Sequence, residues 1–221
     1  MKRLLVLRPE PGASATIARA REIGLDAVSA PLFAIEPVAW RAPEPAGFDA
    51  LLLTSANALR FGGDQVAGLR GLPVHAVGEA TAEAARAAGF DIASAGEAGV
   101  ERLLASIDPD LELLHLCGED RREAQAPRQA ITALAVYRAR AIDGPDLSAA
   151  PGSVVLVHSP RAGQRLAELI GDGRSTSIAA ISAAAATAAG DGWAAVEVAE
   201  RPSDEALLAL AVRLCNTPSP Q

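Results

Sequence analysis

The sequence predicts an α/β protein of two domains, each a parallel sheet covered by helices. Three observations carry that reading. The first is a repeated stretch: Leu51-Leu52-Leu53-Thr54-Ser55-Ala56-Asn57 is matched by Val155-Leu156-Val157-His158-Ser159-Pro160-Arg161, with Ser55 and Ser159 in register 104 positions apart. The offset persists, placing Ala76-Val77-Gly78 on Ala180-Ile181-Ser182 and Thr81 on Ala185, as expected of two copies of one strand-helix-strand-helix unit. The second is that each run is continuously apolar and stops at small hydroxyl residues. That pattern suits a strand buried on both faces, followed by a helix whose N-terminus is capped by Ser, Thr or Asn. The third is composition: 221 residues, 50% hydrophobic and 21% charged, are enough for two modest cores.

In chain order, residues 2–8 form a strand, 14–23 a helix closed by Gly24, and 26–30 a second strand. Residues 31–38 read as extended because Pro31 and Pro37 block helix at either end. Residues 41–47, with Pro43 and Pro45, connect to a strand over 48–54, a helix over 56–69, a strand over 74–77, a helix over 81–88, a strand over 91–94 and a helix over 100–107. A strand over 111–117 repeats the pattern of the first strand, and a polar turn with Arg121 and Arg122 follows. Residues 131–142 alternate apolar and polar and carry the only tyrosine, Tyr137. Their expected partner is 32–38, which makes a two-stranded hinge. Beyond it come a strand (153–157), helix (163–170), strand (177–181), helix (183–189), strand (193–198) and helix (204–214), then a frayed tail.

The resulting domains are 1–36 with 141–221, discontinuous, and an inserted 42–131, linked by 32–41 and 132–140. Alternating strands and helices make both sheets parallel and flavodoxin-like. Helix N-termini at the carboxyl edges of two facing sheets would create a cleft with an affinity for anions.

The formal net charge of −7 argues against general nucleic-acid binding. Cys117 and Cys215 lack paired spacing, which fits a reducing, cytoplasmic setting rather than a disulfide framework. The four apolar residues after Lys2-Arg3 are too few for a signal peptide, and no run approaches a membrane span. No dinucleotide, phosphate-loop or zinc-protease motif occurs, so no cofactor and no metal are expected. His75, His115 and His158 each sit at or in a strand without metal-ligand companions.

Ser55, Asn57, Thr81 and Ser159 read as helix caps that also aim hydroxyls and amides at carboxylates. Arg8, Arg121 and Arg161 stand at strand ends and concentrate positive potential there, which points to a small polyanion. Tyr137 beside the hinge is placed to give a proton to a leaving hydroxyl, its ordinary pKa near 10 keeping it protonated.

Arg8-Pro9, Pro31-Leu32-Phe33-x-Ile35-x-Pro37, Leu53-Thr54-Ser55-Ala56-Asn57-Ala58, Val77-Gly78-x-Ala80-Thr81-Ala82, Gly118-x-x-Arg121, Val136-Tyr137 and Ser159-Pro160-Arg161 together resemble the uroporphyrinogen-III synthase family. The resemblance implies two flavodoxin-like domains joined by a two-stranded ladder. It also implies a cofactor-free lyase that closes hydroxymethylbilane to uroporphyrinogen III with inversion of the last pyrrole ring and loss of water. Carried over, Tyr137 assists hydroxyl departure, while Thr81 and Ser159 bind acetate and propionate arms. Where many members have further hydroxyl residues, this chain has Ser182-Ala183-Ala184-Ala185, leaving Ser182 and backbone amides. A monomer is expected, with the bilane as its partner. A noncatalytic two-domain binder of small polycarboxylates is the rival reading. A nucleotide-sugar transferase would need a diphosphate site that the sequence lacks.

Overall fold

The computed structural model describes residues 2–96, 99–121 and 124–217, so the expectation for Arg122 lies outside the described residues. In chain order the elements are β1 (Leu4–Val6), α1 (Gly12–Glu22), β2 (Ala27–Ser29), β3 (Phe33–Pro37), β4 (Ala50–Leu53), α2 (Asn57–Phe61), β5 (Val74–Val77), α3 (Glu79–Ala87), β6 (Ile92–Gly96), α4 (Val100–Ser106), β7 (Glu112–Gly118), β8 (Ala130–Ala141), β9 (Val154–Val157), α5 (Pro160–Leu169), β10 (Ser177–Ala180), α6 (Ala183–Ala189), β11 (Ala195–Val198) and α7 (Asp204–Asn216). The chain divides into two compact units, Met1–Ala34 with Arg140–Gln221, and Ile35–Ala139.

The discontinuous unit carries a sheet in the order β11-β10-β9-β1-β2, all neighbours parallel. Its centre is buried on both faces: Leu4, Val6, Val154 and Leu156 on one side and Leu5, Val155 and Val157 on the other are at most 1% exposed. α1 and α7 cover one face through Ala13, Ile17, Ala20, Leu207, Leu210 and Leu214. Elsewhere in this unit, α5 meets α6 so closely that Gly163 has no room for a side chain. A Cβ there would lie 2.7 Å from the Ala185 carbonyl oxygen and 2.9 Å from the Ala189 nitrogen.

The second sheet runs β3-β8-β7-β4-β5-β6. Leu51 and Leu53 face α2 and α3 with Ala82 and Ala85, and Leu52 faces α4 with Leu103 and Leu104. The duplication shows in the registers. β4 pairs Leu51 with Val74 and Leu53 with Ala76, and β9 pairs Val155 with Ile178 and Val157 with Ala180, each position displaced by the same 104. β1 against β9 likewise matches β7 against β4, so Val6 and His115 are equivalent positions.

Three expectations are corrected. The helix over 56–69 is broken at Gly62-Gly63, where Gly63 has φ +68°, into α2 and a 3-10 turn over Asp64–Leu69. Glycines are poor helix formers and permit that φ. The 131–142 stretch is more than half of a two-stranded hinge: residues 130–137 also pair in parallel with β7, leaving β3 as the sheet's edge. The amide of Val38 donates to Val136 and that of Ile142 to Leu32, so β3 and β8 run antiparallel. Finally, Thr81 is no cap, because the helix starts earlier at Gly78, whose φ of +84° opens it.

Candidate active site

Every expected site residue except Tyr137 lies just beyond the carboxyl end of a strand or in the helix that follows it. Ser55 and Asn57 follow β4, Thr81 follows β5, and Arg121 follows β7. Arg8 follows β1, Ser159 and Arg161 follow β9, and Ser182 follows β10.

In the Ile35–Ala139 unit the register of β7 against β8 shifts between Cys117 and Gly118, so that Cys117 faces Ala135 but Gly118 faces Tyr137. Such a bulge re-aims side chains at a strand end. The Tyr137 ring then lies against Gly118, where a Cβ would come within 2.8 Å of Cε2 and 3.0 Å of Cζ. Phe61 flanks the ring at 6.5 Å between centroids. Burial raises the phenol's pKa above its ordinary value, partly offset by a hydrogen bond with Ser55. The phenol therefore keeps its proton at neutral pH. Ser55 Oγ also accepts from the Asn57 amide at 3.2 Å. Asn57 is the first residue of α2 rather than its cap, and its side chain accepts from Arg60 at 3.4 Å. Thr81 is buried in the first turn of α3.

On the other sheet face, His115 Nε2 and Thr54 Oγ1 are hydrogen-bonded at 3.1 Å. Burial, with the Arg121 charge second, lowers the His115 pKa to about 4. His115 is neutral at physiological pH.

In the discontinuous unit Ser159 and Ser182 are true caps, accepting from the Ala162 amide at 3.2 Å and the Ala185 amide at 3.3 Å. A hydroxyl used this way still has its own proton to donate. Arg161 stacks on Phe33, its guanidinium carbon 4.5 Å from the ring centroid. Arg8 is drawn inward rather than presented alone. Its Nη1 lies 3.3 Å from Thr16 Oγ1 and 3.5 Å from Asp204 Oδ1. Asp204 is the hub of that cluster, which sequence reasoning missed: it also accepts from Thr16 at 3.0 Å, Arg19 Nη2 at 2.7 Å and His158 Nε2 at 2.9 Å. Burial pushes the Asp204 carboxyl up, but the His158 hydrogen bond and charge, with Arg19 and Thr16, outweigh it and hold the pKa below the ordinary value. The only advance signal was Ser203-Asp204-Glu205 as a helix start. Its partners lie up to 196 residues away. Among the described residues no cluster of metal-ligating side chains occurs.

The family model described as uroporphyrinogen-III synthase HemD matches residues 14–209. The chain belongs to the uroporphyrinogen-III synthase family. Uroporphyrinogen-III synthetase from Helicobacter pylori 26695 is similar in structure over 97% of this chain and 100% of that one, at 17% identity and a TM-score of 0.68. A mutant form of the synthase from the extremely thermophilic bacterium Thermus thermophilus is similar over 97% and 99% respectively, at 18% identity and a TM-score of 0.52. At those identities the likeness is one of fold. No curated protein is a significant match to the chain. Membership of the uroporphyrinogen-III synthase family places the chain in haem biosynthesis. No described helix is long and apolar enough to cross a membrane.

Proposed function

We propose that the chain acts as a monomeric, cytoplasmic, cofactor-free hydro-lyase, cyclising hydroxymethylbilane to uroporphyrinogen III with inversion of the last ring. The family match across residues 14–209 carries this reading, and the protonated phenol of Tyr137 in β8, lying against Gly118 at the end of β7, supports its chemistry. Tyr137 donates its proton as the terminal hydroxyl leaves, giving an azafulvene. The substituted carbon of the last ring attacks it to form a spiro intermediate, and rearrangement inverts that ring before closure. Ser159 and Ser182 donate hydroxyl protons to carboxylate arms, and Ser55, Asn57, Thr81, Arg8, Arg121 and Arg161 complete the set. Because the free bilane closes to the uninverted isomer, the protein's work is positioning more than strong acid-base catalysis.

Incubation with freshly made hydroxymethylbilane, oxidation and chromatography test the reading. Uroporphyrin III is the expected product. Isomer I alone would overturn it and favour a noncatalytic polycarboxylate binder.

A further inference from the structure

Ser55 and Ser159, equivalent in the repeat, make different hydrogen bonds. Ser159 caps α5, accepting from the Ala162 amide three residues ahead. Ser55 does not cap α2, whose first residue is Asn57 with Ala56 before it. Its Oγ accepts from the Asn57 amide at 3.2 Å, a tight local turn that leaves the hydroxyl proton to donate.

The sheet sets where that proton goes. β4 pairs Leu53 with Leu116, and continuing that register by two residues brings Ser55 level with Gly118. β7 pairs Cys117 with Ala135, so an unshifted ladder would put Gly118 opposite Val136, a fully buried core residue. The bulge puts Tyr137 there instead. Ser55, Gly118 and Tyr137 therefore form one row across the adjacent strands β4, β7 and β8. The outer two are two strand spacings apart, about 10 Å at the backbone. Glycine lets the tyrosine ring lie across the middle strand: a Cβ at 118 would sit 2.8 Å from Cε2 and 3.3 Å from the phenol oxygen. The phenol so placed hydrogen-bonds with the Ser55 side chain and with the Gly118 backbone amide. A phenol oxygen that accepts from both keeps its own proton as the one left to give, and carries charge more readily once that proton departs.

We propose that Ser55 is a positioning residue for the reaction, donating its hydroxyl to the Tyr137 oxygen so that the phenol proton is the one offered to the leaving hydroxyl. The proposal rests on the function proposed above and gives Ser55 its place in that set: it acts through Tyr137. The phenol proton passes to the hydroxyl oxygen, which leaves as water with the C–O electron pair. The pyrrole nitrogen's pair replaces it at that carbon, and the proton the ring loses at closure restores the phenol.

A double-mutant cycle tests this. Ser55→Ala should lower kcat at least roughly tenfold while KM stays within about twofold. Ser55→Thr keeps the hydroxyl and should recover most of the loss. In a Tyr137→Phe background Ser55→Ala should change kcat less than about twofold, because the group it acts on is gone. A KM raised at least about fivefold by Ser55→Ala in both backgrounds, at constant kcat, overturns the proposal and makes Ser55 a carboxylate contact. Equal kcat losses in both backgrounds overturn it too.

A second measurement needs no activity. Tyr137 is the only tyrosine, so tyrosinate absorbance follows its ionisation alone, with Trp40 fluorescence in a Trp193→Phe background confirming a folded unit. Ser55→Ala should move the titration to higher pH, because the phenolate loses a donor. Cys117, whose charge pushes the phenol the same way, is present in both chains. An unchanged titration overturns the proposal. If the titration moves but the parent forms only isomer I, the pairing of Ser55 with Tyr137 stands and the proposed enzyme activity falls.

Discussion

Acidifying the protein from pH 7 to pH 5 will destabilise the Ile35–Ala139 unit through His115. In the unfolded chain this imidazole takes a proton near 6.5, but in the folded unit burial and the Arg121 charge delay protonation to about 4. Between those values the unfolded state binds the extra proton. Stability is therefore full above about 6.5, falls as pH drops toward about 4, and is flat for this group below that. At about 1.4 kcal/mol per pH unit the whole effect is about 3 kcal/mol, of which about 2 kcal/mol is lost by pH 5. Trp40 reports on this unit: it packs on the core beside α2, and its Nε1 donates to the Gly62 carbonyl at 2.8 Å. In a Trp193→Phe background, urea melts followed by Trp40 at both pH values compare His115 with His115→Gln. The glutamine keeps a hydrogen-bonding group for Thr54 but cannot titrate. Buried His75, whose pKa is also lowered, is present in both and cancels. The parent should lose about 2 kcal/mol more than the variant. Equal losses, or a His115 resonance titrating near 6.5, would refute the reasoning.

Gly163→Ala puts a methyl into the backbone of α6 and should destabilise the discontinuous unit by about 1–3 kcal/mol. Thermal melts followed by Trp193, whose Nε1 donates to the Ala189 carbonyl, check this. Asp204→Asn leaves Arg8, Arg19 and His158 around a neutral amide and should cost the same unit about 2 kcal/mol, discounted for the half-exposed Arg19. Gly118→Ala drives a methyl against the Tyr137 ring and should lower turnover roughly a hundredfold with little change in the melt of the Trp40 unit. Tyr137→Phe should lower kcat at least roughly tenfold while KM changes little; unchanged kcat would make Tyr137 a packing residue.

The strands were legible because each central one is a short apolar run with no polar face to hide. Leu51 to Leu53 and Val154 to Val157 needed only their boundaries adjusted. The 104-residue offset was likewise visible, and the strand registers repeat it. What local pattern did not encode was how one element ends against another. Gly62-Gly63 breaks a helix whose apolar periodicity continues past it. The shift at Cys117 and Gly118, which sets Tyr137 against a glycine, depends on pairing between strands that meet only in the fold. Arg8 read as a free cation because Asp204, which draws it inward, is distant in sequence. Caps were easier: Ser159 bonds an amide three residues ahead, a relation contained in the local sequence.

Ring inversion is the step that separates this account from any simple carboxylate binder, and isotopic labelling observes it directly. Hydroxymethylbilane is prepared with ¹³C at the hydroxymethyl carbon and at the last-ring carbon already joined to the third ring. Attack through that substituted carbon bonds the two labels to each other, so the product formed by this chain should show a one-bond ¹³C–¹³C coupling. A closed macrocycle without the coupling would mean that the last ring never turned, and would contradict the account.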